Sequence, residues 1–182
     1  MKHISVVFTL IFSIFLAAGF CSGYTGTYDN KIEVETMVFE WKVDSEVIHI
    51  RLSAKTDGWV GIGFNPSEQM KDANFILGYV KDGNVKVSDH FGSANRQHEQ
   101  DDKLGGTDDV TDISGKQVNG ITQVSFTIPM HSKDSNDQVL SEDKEIKVLL
   151  AYGAGRDSFR ARHEFRTALN VNLKTGRFTR IK

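Results

Sequence analysis

Hydrophobic and polar residues alternate with a period of two along most of this chain. Met37, Phe39, Trp41 and Val43 interleave with Val38, Glu40 and Lys42, and Ile48, Ile50 and Leu52 interleave with His49, Arg51 and Ser53. The same period runs through Val124, Phe126 and Ile128, through Ile146, Val148 and Leu150, and through Phe165, Thr167, Leu169, Val171 and Leu173. Successive side chains on a strand point to opposite faces, so each run predicts a strand with one buried face and one solvated face. Gly83 between Val80 and Val85, and Lys174-Thr175-Gly176 between Leu173 and Phe178, are hairpin signals. No long helical period appears, and the only prolines, Pro66 and Pro129, leave the strands largely unbroken. The pattern predicts about nine or ten short strands in a two-layer antiparallel β-sandwich of immunoglobulin-like type. Its expected inward set is Phe39, Trp41, Ile50, Leu52, Ile62, Phe126, Ile128, Val148, Leu150, Leu169 and Val171.

The stretch from Gly58 to Asn74 is unusual among these strands. Trp59, Val60, Ile62 and Phe64 are strand formers. Gly58, Gly61 and Gly63 between them remove side chains where another backbone or a flat ligand can come close. Asn65-Pro66-Ser67 forces a turn, and Met70 follows just before a second apolar run, Phe75 to Val80. A loop methionine is either adaptable packing or a soft metal ligand on a rigid frame.

Two polar segments interrupt the pattern. Asp89 to Gly115 carries His90, His98 and many carboxylates, and its length predicts a long loop. So many carboxylates suggest calcium, but their spacing does not fit the helix–loop–helix calcium pattern. Gly153 to Arg166 holds Arg156, Arg160, Arg162, Arg166 and His163 between two strands. It reads as a solvated turn whose Arg stems cover apolar surface, or as a histidine ligand ringed by guanidinium groups.

The N-terminus predicts a cleaved secretory signal over residues 1–23, with a single domain over 24–182. Met1-Lys2-His3 gives a positive start, Ile4 to Phe20 an apolar run, and Ala17, Ala18, Gly19, Ser22 and Gly23 the small residues of a cleavage region. The run is short for a membrane span and the C-terminus has no hydrophobic tail, so no membrane anchor is expected. The expected location is secreted and extracellular. A net charge of −2 with scattered Lys and Arg argues against nucleic-acid binding. The one cysteine, Cys21, falls inside the expected leader, which leaves no thiolate chemistry or disulfide.

Gly58-Trp59-Val60-Gly61-Ile62-Gly63-Phe64, then Met70, Ala73-Asn74 and an apolar strand, then Val87-Ser88-Asp89-His90-Phe91, resemble a DOMON domain. This is the extracellular β-sandwich module named after the N-terminal region of dopamine β-monooxygenase. Val148 to Gly153, the His163 loop and the strand through Asn170-Val171-Asn172-Leu173 extend the resemblance to most of the chain. Some members, such as the cytochrome domain of cellobiose dehydrogenase, carry heme b between a Met and a His; others are proposed to bind sugars. By motif, the resemblance implies Met70 and His163 as iron ligands. Many members have Gly where Asp72 stands and Asp where Asn74 stands.

The residues themselves favour the same pair. Met37 lies mid-strand and Met130 beside Pro129, whereas Met70 alone sits on a loop after the glycine-rich strand. His49 alternates outward, and His90, His98 and His131 lie in hydrophilic stretches, whereas His163 stands at the mouth of an apolar strand. Ile62, Phe64 and Tyr79 are the expected walls, with Arg162 and its neighbouring arginines as partners for propionates. A Met/His pair fills both axial positions, which suits one-electron transfer with a partner protein rather than oxygen chemistry. No Gly-x-Ser-x-Gly elbow, His-Glu-x-x-His or dinucleotide fingerprint occurs, so a stand-alone enzyme is not expected. The second function class is a heme-free module for a carbohydrate, with Trp59, Tyr79 and Phe91 as stacking rings.

Overall fold

Twelve strands and one short 3₁₀ turn follow the alternation along residues 23–181, the residues that a computed structural model of the chain describes. The expected leader therefore lies outside the described residues except for Gly23. The strands are β1 (Asn30–Val34), β2 (Met37–Asp44), β3 (Val47–Ala54), β4 (Val60–Phe64), β5 (Asn74–Lys81), β6 (Asn84–Ala94), β7 (Gln97–Gln100), β8 (Thr111–Val118), β9 (Ile121–Pro129), β10 (Glu145–Gly153), β11 (His163–Asn172) and β12 (Phe178–Arg180). The 3₁₀ turn is η1 (Asp101–Leu104).

They form two antiparallel sheets. One runs β1-β2-β3-β9-β8 and the other β12-β11-β10-β4-β5-β6-β7. Between them lies the core, in which every residue of the expected inward set is buried. Phe39 and Trp41 stack with ring centroids 4.4 Å apart. The buried Trp41 indole donates to the Leu173 carbonyl at 2.8 Å, so a large apolar side chain is buried without stranding its N–H. Burial of each such side chain stabilises the fold by about 1.5–3 kcal/mol. The expected hairpin turns also form: Asp82 and Gly83 both take positive φ (50° and 77°), as the tight β5–β6 turn requires.

Two expectations need correcting. The polar segment Asp89–Gly115 is not one long loop, because it contains the end of β6, then β7, η1 and the start of β8. Its strands escape the hydrophobic pattern because Asp89 occupies an inward position of β6, opposite Ile76, where an apolar residue would ordinarily stand. His49 is buried rather than solvated, since Tyr24 stacks on it at 3.9 Å and its Nδ1 bonds the Thr127 hydroxyl at 2.8 Å. The segment before β1 covers that outer face.

Candidate functional site

Strand alternation assigns the two faces of the seven-stranded sheet. Val60, Ile62 and Phe64 of β4 point into the core, so Gly61 and Gly63 face outward. Ile76 and Val80 of β5 point inward, so Phe75, Leu77 and Tyr79 face outward, beside Leu149 and Ala151 of β10. A sheet face turned to water is ordinarily polar. This one instead carries a second hydrophobic cluster: Trp59, Ala73, Phe75 and Leu77 are buried there, with Met70, Tyr79, Leu149 and Phe159 packed against them.

The glycines make that face flat. A Cβ on Gly63 would come within 2.3 Å of the Phe75 ring, and one on Gly153 within 2.2 Å of the Trp59 indole nitrogen. Both rings thus lie against bare backbone. Over them folds the loop of residues 154–162, held where Trp59 Nε1 donates to the Ala161 carbonyl at 3.0 Å. From this roof Phe159 packs on Tyr79, with centroids 4.8 Å apart, and on His90 at 5.8 Å.

Met70 sits at one end of the patch, half-buried, on a tightly held turn. Its N–H donates to the Asn95 carbonyl at 3.3 Å, and its own carbonyl accepts from Ala73 at 3.3 Å. Gly92 abuts it so closely that a Cβ there would lie 1.8 Å from the Met70 carbonyl oxygen. Asn65, Gln69 and Asp72 around it take positive φ of 50°, 51° and 61°. The Met70 backbone is thus closely held, and its side chain packs against the hydrophobic cluster.

His163 begins β11 at the other end of the patch, opposite Gly153, and is exposed. Arg156, Arg160, Arg162 and Arg166 are exposed around it. No ion pair among the described residues uses these arginines. The register pairs Phe64 with Asn74 near Met70, and Val60 with Tyr152 near His163. The two candidate ligands therefore stand at opposite ends of the apolar face, Met70 beside Gly92 of β6 and His163 beside Gly153 of β10 with β4 and β5 between them, and the structure does not bring them together. Of the expected walls, Tyr79 belongs to this face. Ile62 and Phe64 do not: with Gly61 and Gly63 turned outward, alternation sends both into the core. Phe75, Leu77, Leu149 and Phe159 line the face instead. Phe91 shares the Asp89 side of β6, so it does not join Trp59 and Tyr79 on one platform.

Two histidines also reach the outer face. His90 on β6 stands opposite Phe75, and His98 on β7 lies 5.7 Å from the Phe75 ring. Their Nδ1 atoms are 3.0 Å apart, so one ring must offer N–H and the other a lone pair. Burial, and then the neighbouring His98, lowers the His90 pKa to about 4; burial lowers that of His98 as well. The buried His90 Nε2 has no hydrogen-bond partner. The hydrophilic setting of both residues concealed this pair, and only their outward alternation with Ser88 and Gln100 could have revealed it.

The site is thus an apolar, glycine-flattened outer face of a β-sandwich, with a thioether at one end and an imidazole at the other. The chain belongs to the DOMON domain family, which it matches over residues 33–153. It is 30% identical over 112 residues to DBH-like monooxygenase protein 1 of mouse and of human, an overlap of 62% of this chain and 18% of theirs. It thus spans about a fifth of the length of these curated relatives. Among solved structures, the cytochrome b domain of pyranose dehydrogenase from Coprinopsis cinerea is 11% identical with a TM-score of 0.62, covering 78% of each chain. The cytochrome domain of Myriococcum thermophilum cellobiose dehydrogenase is 10% identical with a TM-score of 0.55, covering 81% of this chain and 83% of that one. At these identities the likeness concerns the fold. Among the described residues no helix is long and apolar enough to cross a membrane.

Proposed function

We propose that this chain is a secreted cytochrome-type DOMON module that carries heme b on the outer face of its seven-stranded sheet, with Met70 and His163 as axial ligands. The single observation that carries the reading is the separate hydrophobic cluster on a sheet face that should be polar, with Met70 in it and His163 at its margin. The donor types suit the group: a thioether on a constrained turn, an accessible imidazole and free arginines at the rim; since His163 and Met70 stand at opposite ends of the face, holding one iron requires the loop that ends at His163 to close toward Met70. Trp59 and Phe75 lie over the glycine floor, so binding also requires these rings to move aside.

The bound group would supply a one-electron change at iron. The chain's own contribution is environment. Met70 favours the reduced form, apolar walls exclude water, and Arg162 with its neighbours offers paired donors to propionates and to an acidic extracellular redox partner. The names of the two cytochrome domains lend support at the level of fold, whereas the monooxygenase relatives extend well beyond this chain. The test is the visible spectrum of purified protein supplied with heme, oxidised and reduced. A low-spin spectrum, lost in both Met70→Ala and His163→Ala, supports the reading. His98→Ala losing it while His163→Ala keeps it would move the ligand to the β6–β7 pair. No band at all would leave a heme-free module, with a carbohydrate as the next ligand to assay.

A further inference from the structure

We propose that His90 and His98 form a two-imidazole chelate for a divalent transition metal ion of the copper–zinc class, with copper(II) held more tightly than zinc(II). The pair stands where β6 meets the edge strand β7. It uses neither Met70 nor His163, so it does not rest on the heme reading. His90 is paired with Gln100 in the register, and His98, two residues before Gln100, shares their outward face. The β6–β7 pairing is irregular between Phe91 and Ala94, and such bulges re-aim side chains. The result is a diagonal pair with Nδ1 atoms 3.0 Å apart and ring planes at 70°.

That separation is the span of a chelate. Two imidazole nitrogens bound at roughly 2.0–2.1 Å to one ion lie about 2.9 Å apart at a right angle and about 3.3 Å apart in a tetrahedron. The observed 3.0 Å is nearer the right-angled arrangement, which copper(II) prefers. Copper(II) also heads the affinity order for such donors. Without an ion, the same distance is spanned by a single N–H···N bond. The rings are already held in place. His90 is 6% exposed and meets the Phe159 ring at 77°, and His98 lies 5.7 Å from Phe75. Little ordering is then left for the ion to impose.

A histidine must be neutral to bind a metal. Burial, and then the facing His98, keeps His90 neutral down to a pKa of about 4, and burial lowers the pKa of His98 as well. Both lone pairs are therefore available at neutral pH. The charged groups whose fields reach His90 are Glu99 and Asp102, which favour a cation, and Lys103, which is tied to Glu99 at 2.9 Å. Chelation through both Nδ1 atoms fixes both rings as Nε2–H tautomers. The buried His90 Nε2, which has no hydrogen-bond partner, then has the Phe159 ring as an aromatic neighbour. Among the described residues no three His, Cys, Asp or Glu side chains converge on one point. The pair thus supplies two positions, and water and the Gln100 amide, across from His90, supply the rest. His98 is only half-buried, on the edge strand, which gives an ion its approach from solvent.

The experiment uses the full heme-free chain at neutral pH, carrying His3→Ala because an amino terminus with His in third place chelates copper by itself. The protein is stripped with a chelator and titrated with copper(II) chloride or zinc(II) chloride against a competing chelator of known affinity. One copper per chain is expected, with an electron paramagnetic resonance spectrum showing two coupled imidazole nitrogens, and zinc should bind more weakly. His98→Gln should weaken copper binding at least about tenfold, since even an outer-shell partner is worth that much. The exposed His131→Ala should leave it intact. His90 is buried, so its part is read without a substitution, from nitrogen NMR of the histidine rings with zinc. The chelate requires Nε2–H on both His90 and His98, whereas the hydrogen bond alone keeps Nδ1–H on one of them. No copper bound, a single coupled nitrogen, undiminished affinity in His98→Gln, or an Nδ1–H that persists at saturating zinc would each overturn the site. Because no readout needs heme, a failed heme spectrum and a failed titration are separable.

Discussion

Asp89 and His90 are neighbours on β6, yet they face opposite worlds. Asp89 points into the sandwich among four aspartates, and His90 points outward to a second imidazole and the ring of Phe159. Each is buried beside groups of its own kind, so each is driven toward its neutral form, Asp89 upward to about 9 and His90 downward to about 4. The difference lies in what relieves them. Two imidazoles can share one proton and remain neutral, whereas bare carboxylates need protons or a cation. One strand thus separates an apolar outer face with paired imidazoles from an interior corner of unpartnered carboxyl oxygens.

The largest effect should come from testing whether the inner face carries the fold and the outer face does not. Phe64 is fully buried in the core, so Phe64→Ala should cost about 3–5 kcal/mol in urea unfolding. Phe75 lies in the outer patch under a loop that can settle onto the vacated space, so Phe75→Ala should cost roughly 2 kcal/mol. Equal costs would mean that the outer cluster is simply a second core.

Next in size is pH dependence, measured in chelator. A carboxyl raised from 3.8 to about 9 in the fold binds a proton that the unfolded chain has already lost. Its contribution is full below about pH 4 and is lost as pH rises toward 9. Asp137, raised to about 6, adds to the same loss only up to that pH. His90 runs the other way: with its pKa lowered from 6.5 to about 4, its contribution is present above 6.5 and lost as pH falls toward 4. Between pH 6.5 and 9 the wild type should therefore lose stability at up to about 1.4 kcal/mol per pH unit. Asp89→Asn should flatten that limb, and His90→Gln should remove part of the loss between pH 6.5 and 4. A flat wild-type curve above pH 6.5 would mean that Asp89 is already ionised in the fold.

Much of the inner face was legible in the sequence, because alternation alone reports which side chains avoid water. Phe39, Trp41, Ile50 and Leu52 lie where that period puts them. The outer patch was less legible, although the same period applies. Glycines at 61 and 63 looked like gaps in a wall, and Ile62 and Phe64 like the wall itself, until the pleat turned the glycines outward. The acidic corner was hidden for another reason. Asn74, Asp89, Asp101 and Asp137 come from four separate segments, so no local spacing announces them, and Asp89 in an inward position disguises β6 as loop. Constraint on Met70 likewise comes from Gly92 and Asn95, which are remote in sequence.

The smallest effect on stability should be the most informative about the outer face. Gly61 lies on the flat floor of the patch, and its φ is not in the left-handed region, so alanine can adopt its backbone. A Cβ there would meet Trp59 Cζ3 at 3.2 Å and the Ile76 carbonyl oxygen and Leu77 Cγ at 3.4 Å, contacts that need shifts of a few tenths of an ångström. The slight crowding is offset by about 0.4–1 kcal/mol from the reduced freedom of the unfolded chain. Gly61→Ala should thus leave Tm within about 3 °C of wild type. On the inner face, Gly78→Ala drives a methyl to 2.8 Å from Val124 and should destabilise more. The methyl at 61 also raises the floor where a flat macrocycle would lie, so heme uptake at limiting concentration should fall well before stability does. Wild-type uptake by Gly61→Ala would show that the glycine-flattened face is not the seat of the ligand, and the cytochrome reading would lose its main geometric support.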